Sequence, residues 1–254
     1  MATSQLAAQL YTLRDFMKTP TDIATTFKKV KAIGYDAVQL SGLGPIAPQE
    51  LADILTGEGL QAIITHTGFP RLQNELDAVI SEHKLWNCPN VAIGSMPGEF
   101  RSPDGIMEFA AFSNEVGKKL ADAGLTFSYH NHSFEFAKDE NGVTWLENLY
   151  NNTDPRYLKA ELDTYWIQHG GADPVAWIEK VSGRMPVIHF KDMVIVGEQQ
   201  AMAEVGEGNL NWARIIPACH AAGVQWIAVE QDICRRDPFD CLATSYQNLV
   251  KMGV

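Results

Sequence analysis

Ile215-Ile216-Pro217-Ala218-Cys219-His220-Ala221-Ala222-Gly223-Val224-Gln225-Trp226-Ile227-Ala228-Val229-Glu230 reads as a helical segment, a glycine, and an apolar run ending on a carboxylate. A glycine just past a helix accepts the left-handed conformation that stops it. A short run rich in β-branched and aromatic residues reads as a strand. The same grammar recurs upstream. Thr26 to Ile33 leads through Gly34 to Ala37-Val38-Gln39-Leu40. Glu50 to Glu58 leads through Gly59 to Ala62-Ile63-Ile64-Thr65. Glu115 to Ala123 leads through Gly124 to Thr126-Phe127-Ser128-Tyr129. Strands alternating with helices of this length make βαβ units and a parallel sheet.

Extended over the chain, the pattern predicts eight strands, near 5–11, 36–40, 61–66, 89–95, 126–131, 158–163, 186–191 and 226–231. Eight helices alternate with them, near 20–33, 47–58, 72–86, 104–123, 143–152, 172–182, 210–222 and 237–252. With 254 residues and no linker-like tract, this predicts one α/β domain over 1–254, a closed (β/α)8 TIM barrel, typically ~250 residues long. The βα loops read long and the αβ loops very short, which places a site at the C-terminal barrel face. No GxGxxG follows the first strand and no GxxxxGK[ST] occurs, so dinucleotide and P-loop readings lack their phosphate cradle.

Net charge is −11, which argues against a nucleic-acid partner, since phosphate binding needs clustered Lys and Arg. It suits a protein acting on a neutral small molecule, although one local cation or helix N-terminus would be enough for a phosphate. Cys88, Cys219, Cys234 and Cys241 form no CxxC and read as free thiols. Met1 to Gln9 has no basic region followed by an apolar core, and no stretch approaches a membrane span. The expectation is a cytoplasmic protein without membrane contact. A homo-oligomer is left open.

Four strand ends carry possible metal ligands. They are His130 after Phe127-Ser128-Tyr129, Asp163 after Leu158 to Leu162, His189 after Pro186-Val187-Ile188, and Glu230 after Trp226 to Val229. Polar groups at successive strand ends are how a barrel builds a site. Two imidazoles and two carboxylates suit one divalent metal ion, with Mn, Co, Zn or Fe favoured over Mg. Strand alternation puts His132 on the face of His130, Lys191 on that of His189 and Glu161 on that of Asp163, while Asp192 points away. Glu161 reads as structural, paired with Lys159 or Lys191. Glu135, between Phe134 and Phe136, is a loop acid able to supply a further carboxylate. Tyr11, His66 and Trp166 lie just past other strands and would wall a sugar pocket. Glu207 lies in a Gly206-Glu207-Gly208 turn with Asn209 and Asn211 as caps.

Several segments together carry a family resemblance. They are Gln9-Leu10-Tyr11-Thr12-Leu13-Arg14-Asp15, Ile33 to Leu40, Tyr129-His130-Asn131-His132-Ser133-Phe134-Glu135-Phe136, Leu162-Asp163-Thr164, His189-Phe190-Lys191-Asp192 and Gly206 to Trp212. From end to end the chain resembles the sugar phosphate isomerase/epimerase family with a xylose-isomerase-like barrel, which includes tagatose and psicose epimerases and inosose dehydratase. In the ketose 3-epimerases of that family the metal is held by Glu, Asp, His and Glu on successive strands. The last three match Asp163, His189 and Glu230, whereas His130 stands where the first Glu would be. The resemblance also implies that the turn at Glu207 borders the substrate.

The function expected on these grounds is metal-assisted proton transfer next to the carbonyl of a sugar or keto-sugar through a metal-held enediolate, that is, isomerisation or epimerisation. Glu230 would be the base, and His132 or Lys191 the acid. The same site would also serve a lyase or dehydratase acting on a keto-sugar or keto-glycoside. A non-catalytic carbohydrate-binding barrel is a further reading. A nuclease like endonuclease IV is opposed by the acidic charge and by seven histidines in all, few for a three-metal site.

Overall fold

The computed structural model describes residues 5–254. Its strands are β1 (Gln5–Gln9), β2 (Ala37–Leu40), β3 (Gln61–His66), β4 (Asn90–Ile93), β5 (Thr126–His130), β6 (Lys159–Glu161), β7 (Val187–Phe190), β8 (Asp192–Val196), β9 (Gln199–Ala203) and β10 (Trp226–Val229). Eight of them pair in the order β6-β5-β4-β3-β2-β1-β10-β7, every pair parallel. The result is a nearly closed barrel, as the sequence repeat predicts. The seam between β6 and β7 is a single parallel bridge between Asp163 and His189. The His189 N–H donates to Leu162 O at 2.8 Å, and the Lys191 N–H donates to Thr164 Oγ1 at 3.1 Å. Two candidate ligands therefore sit on the join that closes the ring.

The helices are α1 (Pro20–Ile33), α2 (Pro48–Glu58), α3 (Phe69–Asn74), α4 (Leu76–Leu85), α5 (Pro103–Asp122), α6 (Trp145–Asn151), α7 (Thr164–His169), α8 (Pro174–Lys180), α9 (Trp212–Ala222) and α10 (Pro238–Lys251). Proline stands in the first turn of α1, α2, α5, α8 and α10, and side chains of Thr19, Ser102, Asp173 and Asp237 cap four of them. Proline costs nothing there, because the first-turn N–H groups have no helical partner.

Three segments differ from the sequence expectation. The helix expected over 72–86 is two pieces, because Pro70 starts α3 early and Glu75 (φ −133°) leaves helical geometry before α4 begins. The loop expected after Tyr165 holds α7, capped by Asp163 itself. The loop expected over 193–209 contains the antiparallel hairpin β8–β9. Its two-residue turn passes through Gly197 at φ 63°, a conformation that glycine adopts without strain.

Asp192 organises the segment after the hairpin. Its buried carboxylate accepts from the N–H groups of Met193, Gly206, Gly208 and Leu210 and from the Trp212 indole. It points away from the pocket, as alternation predicts. The turn is thus held by Asp192, and not by Asn209 or Asn211. A Cβ on Gly208 would lie 2.4 Å from Asp192 Oδ1, so only glycine permits this approach.

Candidate metal centre and pocket

The inward face of the ring changes character partway along the strands. Ala7, Ala37, Ile64, Ala92, Val187 and Ala228 belong to one buried apolar cluster. Two residues further on, the same strands present Gln9, Gln39, His66, Gly94, His189 and Glu230. Strand side chains repeat every two residues, so each pair shares a face. A dry layer thus underlies a polar one. His130 and Asp163 complete the polar layer, both buried.

Hydrogen-bond partners fix how these groups point, the ring protons being assigned from them. The Gly94 carbonyl lies 3.0 Å from His130 Nδ1 and can only accept, so Nδ1 carries the hydrogen. His130 Nε2 is therefore a lone pair, buried and without a hydrogen-bond partner. Asp163 uses Oδ1 to cap α7 at Trp166 N. Its Oδ2 is buried and turned towards the other candidate ligands, with the Lys191 ammonium 3.0 Å away. On the far side, His189 Nε2 lies between two acceptors, Gln39 Oε1 at 2.8 Å and Glu161 Oε1 at 3.1 Å. That leaves Nδ1 facing Glu230 Oε2 at 3.0 Å.

A metal fits this set. One donor atom each from His130, Asp163, His189 and Glu230 lies within 4.8 Å of the others. His130 Nε2 is 3.4 Å from Asp163 Oδ2, and His189 Nδ1 is 3.7 Å from Asp163 Oδ2 and 3.0 Å from Glu230 Oε2. Bonds of ~2.1 Å in a tetrahedron give edges of ~3.4 Å. The His130 Nε2 lone pair, which faces Asp163 Oδ2 with no hydrogen between them, marks where a cation would be accepted. Glu161 supports His189 from behind, as a carboxylate commonly does for a metal-bound histidine. Burial would raise the Glu161 carboxyl, but His189 and His66 hold it well below the carboxylate range. Burial alone would lower the His189 pKa, yet Glu161 and Glu230 raise it well above the usual value. A metal at Nδ1 would thus displace a proton.

Lys191 lies within the same group, fully buried. Its Nζ is 3.0 Å from Asp163 Oδ2, 2.6 Å from Glu230 Oε2 and 2.9 Å from Asp232 Oδ2. Burial opposes its charge, but Asp163 and Glu230 outweigh burial and keep it an ammonium. Three carboxylates and one ammonium leave two negative charges, the complement of a divalent cation. Burial and the neighbouring Glu230 push Asp232 up to about 6.

His130, Lys191, Glu230 and Asp232 line a pocket of about 380 Å³ whose walls include Tyr11, Arg14, His66, His132 and Ile233, with Asp163 and His189 fully buried beneath it. His66 Nε2 lies 2.9 Å from Glu161 Oε2, and its Nδ1 abuts Gly94, 2.8 Å from where a Cβ on that residue would stand. Trp166 stands beside His132, ring centroids 5.1 Å apart, with Lys191 Nζ 5.5 Å from its centroid. Tyr11, His66, His132, Trp166 and Lys191 are thus brought together with the four candidate ligands.

Two expected residues are elsewhere. Glu207 is exposed and accepts from Asn248 on α10. Glu135 is buried behind β5, where it accepts from Tyr129 Oη at 2.5 Å and from His132 N–H at 2.9 Å. It braces His132 and supplies no carboxylate to the pocket. His132 itself is held neutral: burial, His130 and Lys191 lower it to about 3. It therefore brings no imidazolium proton, and of the two expected acids only Lys191 carries one. Sequence reading missed Asp232 and paired Glu161 with lysines instead of histidines. The two-residue rule that selected His132 and Lys191 applies equally to both.

Burial raises Glu135 from 4.5 to about 7. Between those values the folded protein retains a proton that the unfolded chain releases, so this contribution to stability is present at low pH and lost as pH rises. Relative to Glu135→Gln, the wild type should lose ~3 kcal/mol of stability from pH 4.5 to above 7. Urea melts of both proteins across that range check it, and parallel curves would contradict it.

The description "Xylose isomerase-like TIM barrel" matches residues 27–238. The chain belongs to this family. Within it, the chain is similar to an inosose dehydratase of Lacticaseibacillus casei, 25% identical over 143 residues that cover 49% of this chain and 47% of that protein. The matched stretch thus spans about half the length of that curated relative. A sugar phosphate isomerase/epimerase structure from Parabacteroides distasonis superposes with a TM-score of 0.81 at 22% identity, covering 98% of each chain. An L-ribulose 3-epimerase structure gives 0.75 at 15% identity, over 99% of this chain and 94% of that one. Similar xylose isomerase-like barrels thus include both epimerases and dehydratases. Among the described residues no helix is long and apolar enough to cross a membrane.

Proposed function

We propose that this protein is a metal-dependent sugar isomerase or epimerase that moves a proton next to a carbonyl. The observation carrying this reading is the grouping of His130, Asp163, His189 and Glu230, two of which, His130 and Glu230, line a pocket, with Lys191 beside Glu230. A divalent ion held there would act as a Lewis acid on the substrate's carbonyl and adjacent hydroxyl oxygens. Glu230 takes the proton from the hydroxyl-bearing carbon next to the carbonyl. Lys191 opposes the negative charge that develops on oxygen and shares protons with Glu230 and Asp232. His66 stands in the pocket wall, and Tyr11 and Trp166 flank the sugar.

Glu135 favours a second reading over plain 3-epimerisation of a free ketose. Inverting one carbon needs a proton acceptor on one face and a donor on the other. With Glu135 turned away, Glu230 and Asp232 both belong to the β10 end of the pocket. One base with a nearby acid suits isomerisation, or elimination from a keto-sugar or keto-glycoside. The expected result is exchange of the proton next to the carbonyl with solvent deuterium, seen by NMR. Efficient C3 epimerisation of free fructose, psicose or tagatose would refute the one-base reading. Sugar binding without any exchange would leave a carbohydrate-binding barrel instead.

A further inference from the structure

Arg14 stands in the wall of the pocket that His130, Lys191, Glu230 and Asp232 line, and the proton transfer described above does not use it. It belongs to the short 3₁₀ helix Leu10–Phe16 that follows β1. Two contacts hold its half-buried side chain. Nη1 donates to Tyr11 O at 2.9 Å, and the guanidinium carbon lies 4.4 Å from the centroid of the Tyr11 ring. The loop after β2 presses against the same turn. A Cβ on Gly42, at φ 74°, would stand 3.0 Å from both Arg14 Cβ and Tyr11 Cδ2, so glycine permits this approach.

No carboxylate pairs with Arg14 among the described residues. Other cations on this side of the barrel are engaged. Arg71 makes a two-pronged pair with Glu82 at 3.0 and 2.9 Å. Arg101 donates to the Met96 carbonyl and to Ser95 Oγ. Lys191, the other cation lining the pocket, is held by Asp163, Glu230 and Asp232. Arg14 therefore brings an unmatched positive charge to the pocket. Its Nε and Nη2 have no protein partner among the described residues. Together they make an edge of two parallel donors, which fits the two oxygens of a carboxylate. Glu230 and Asp232 line the same pocket and oppose a phosphate dianion more strongly than a single negative charge.

We propose that Arg14 binds a carboxylate on the substrate, so that the sugar handled here is a keto-sugar acid and not a neutral ketose or a sugar phosphate. This rests on the reading of the pocket as the sugar site, with the carbonyl end of the sugar at Lys191 and Glu230. The carboxylate is then carried at the far end of the sugar chain, clear of the reacting carbons. The net charge of −11 does not forbid an anion, because exposed charges beyond about 10 Å are largely screened at ordinary salt.

The test is calorimetric binding of D-fructuronate, D-fructose and D-fructose 6-phosphate to protein supplied with Mn²⁺. These three share the ketose end and differ only at the last carbon. Fructuronate should bind at least about 10-fold more tightly than fructose, the scale of one charge-assisted pair. In Arg14→Gln that ratio should fall towards one. Arg14→Lys keeps the charge without the fork and should retain only part of the preference, which carries the test if the glutamine variant folds poorly. Equal affinity for fructuronate and fructose overturns the proposal. Tightest binding of the phosphate, a preference undiminished in the folded variants, or binding of none of the three overturns it as well. Metal content measured on the same samples separates the two readings. A metal-loaded protein without carboxylate preference sinks the role of Arg14 alone. A protein that takes up no metal yet prefers fructuronate through Arg14 upholds that role and sinks the metal-dependent function.

Discussion

Replacing Glu230 by Gln is expected to lower turnover by ~100-fold or more while the protein still binds metal, the usual scale for removing a general base. The amide keeps the shape of the side chain and one oxygen for the ion, but it cannot take a proton. It also removes one of the charges around Lys191 Nζ, 2.6 Å away, so Asp163 and Asp232 must then hold that ammonium between them. Elemental analysis and turnover measured on the same preparation separate the two effects. Activity that survives with full metal content would move the base elsewhere, and Asp232 would be the next candidate.

Asp163→Ala should reduce bound metal from one ion per chain to near none. The side chain has two jobs: Oδ1 caps α7 and Oδ2 faces the other donors. Loss of the cap alone costs about 1 kcal/mol, so a fall in melting temperature by itself would not identify a ligand. Asp163→Asn is the control, since it can retain the cap while losing the charge. Both variants should show the metal deficit, and only the alanine should show the full cap penalty. Equal metal content in wild type and Asp163→Ala would sink the site. Removing metal from the wild type with a chelator should abolish solvent exchange without unfolding the barrel, whose seam is made by backbone bonds.

The extent of what is legible in the sequence follows from periodicity. Glycine-terminated helices followed by short apolar runs make a parallel sheet, eight such units in a chain of this length favour closing it into a barrel over leaving it open, and the residue ending each run then falls at one face. His130, Asp163, His189 and Glu230 could be placed together because strand position alone sets their height and inward direction. The two-residue repeat further assigned His132 and Lys191 to the same face. The same rule read consistently would have included Asp232; it had already turned Glu161 inward, but alternation does not choose a partner, and the histidines became visible only in the fold. Segments without a period were the ones misread: the 72–86 region, the turn of helix after Asp163, and the hairpin before Asn209.

What the chain determined by itself, then, is the barrel, the height of each strand-end group and the face it occupies, since these depend on local dihedrals and on alternation. Only the tertiary structure decided which groups meet. Glu135 was near His132 in sequence, yet Tyr129 and a backbone N–H draw its carboxylate behind the strand. Alternation already turned Asp192 away from Lys191, but only the structure supplied its partners, the N–H groups of the Gly206–Gly208 turn. Glu207, in a turn expected at the pocket, is held by Asn248 from the last helix. Loop side chains have no period to fix their direction. Their partners come from elements 40 or more residues away in the case of Glu207, and a buried carboxylate goes where donors satisfy it.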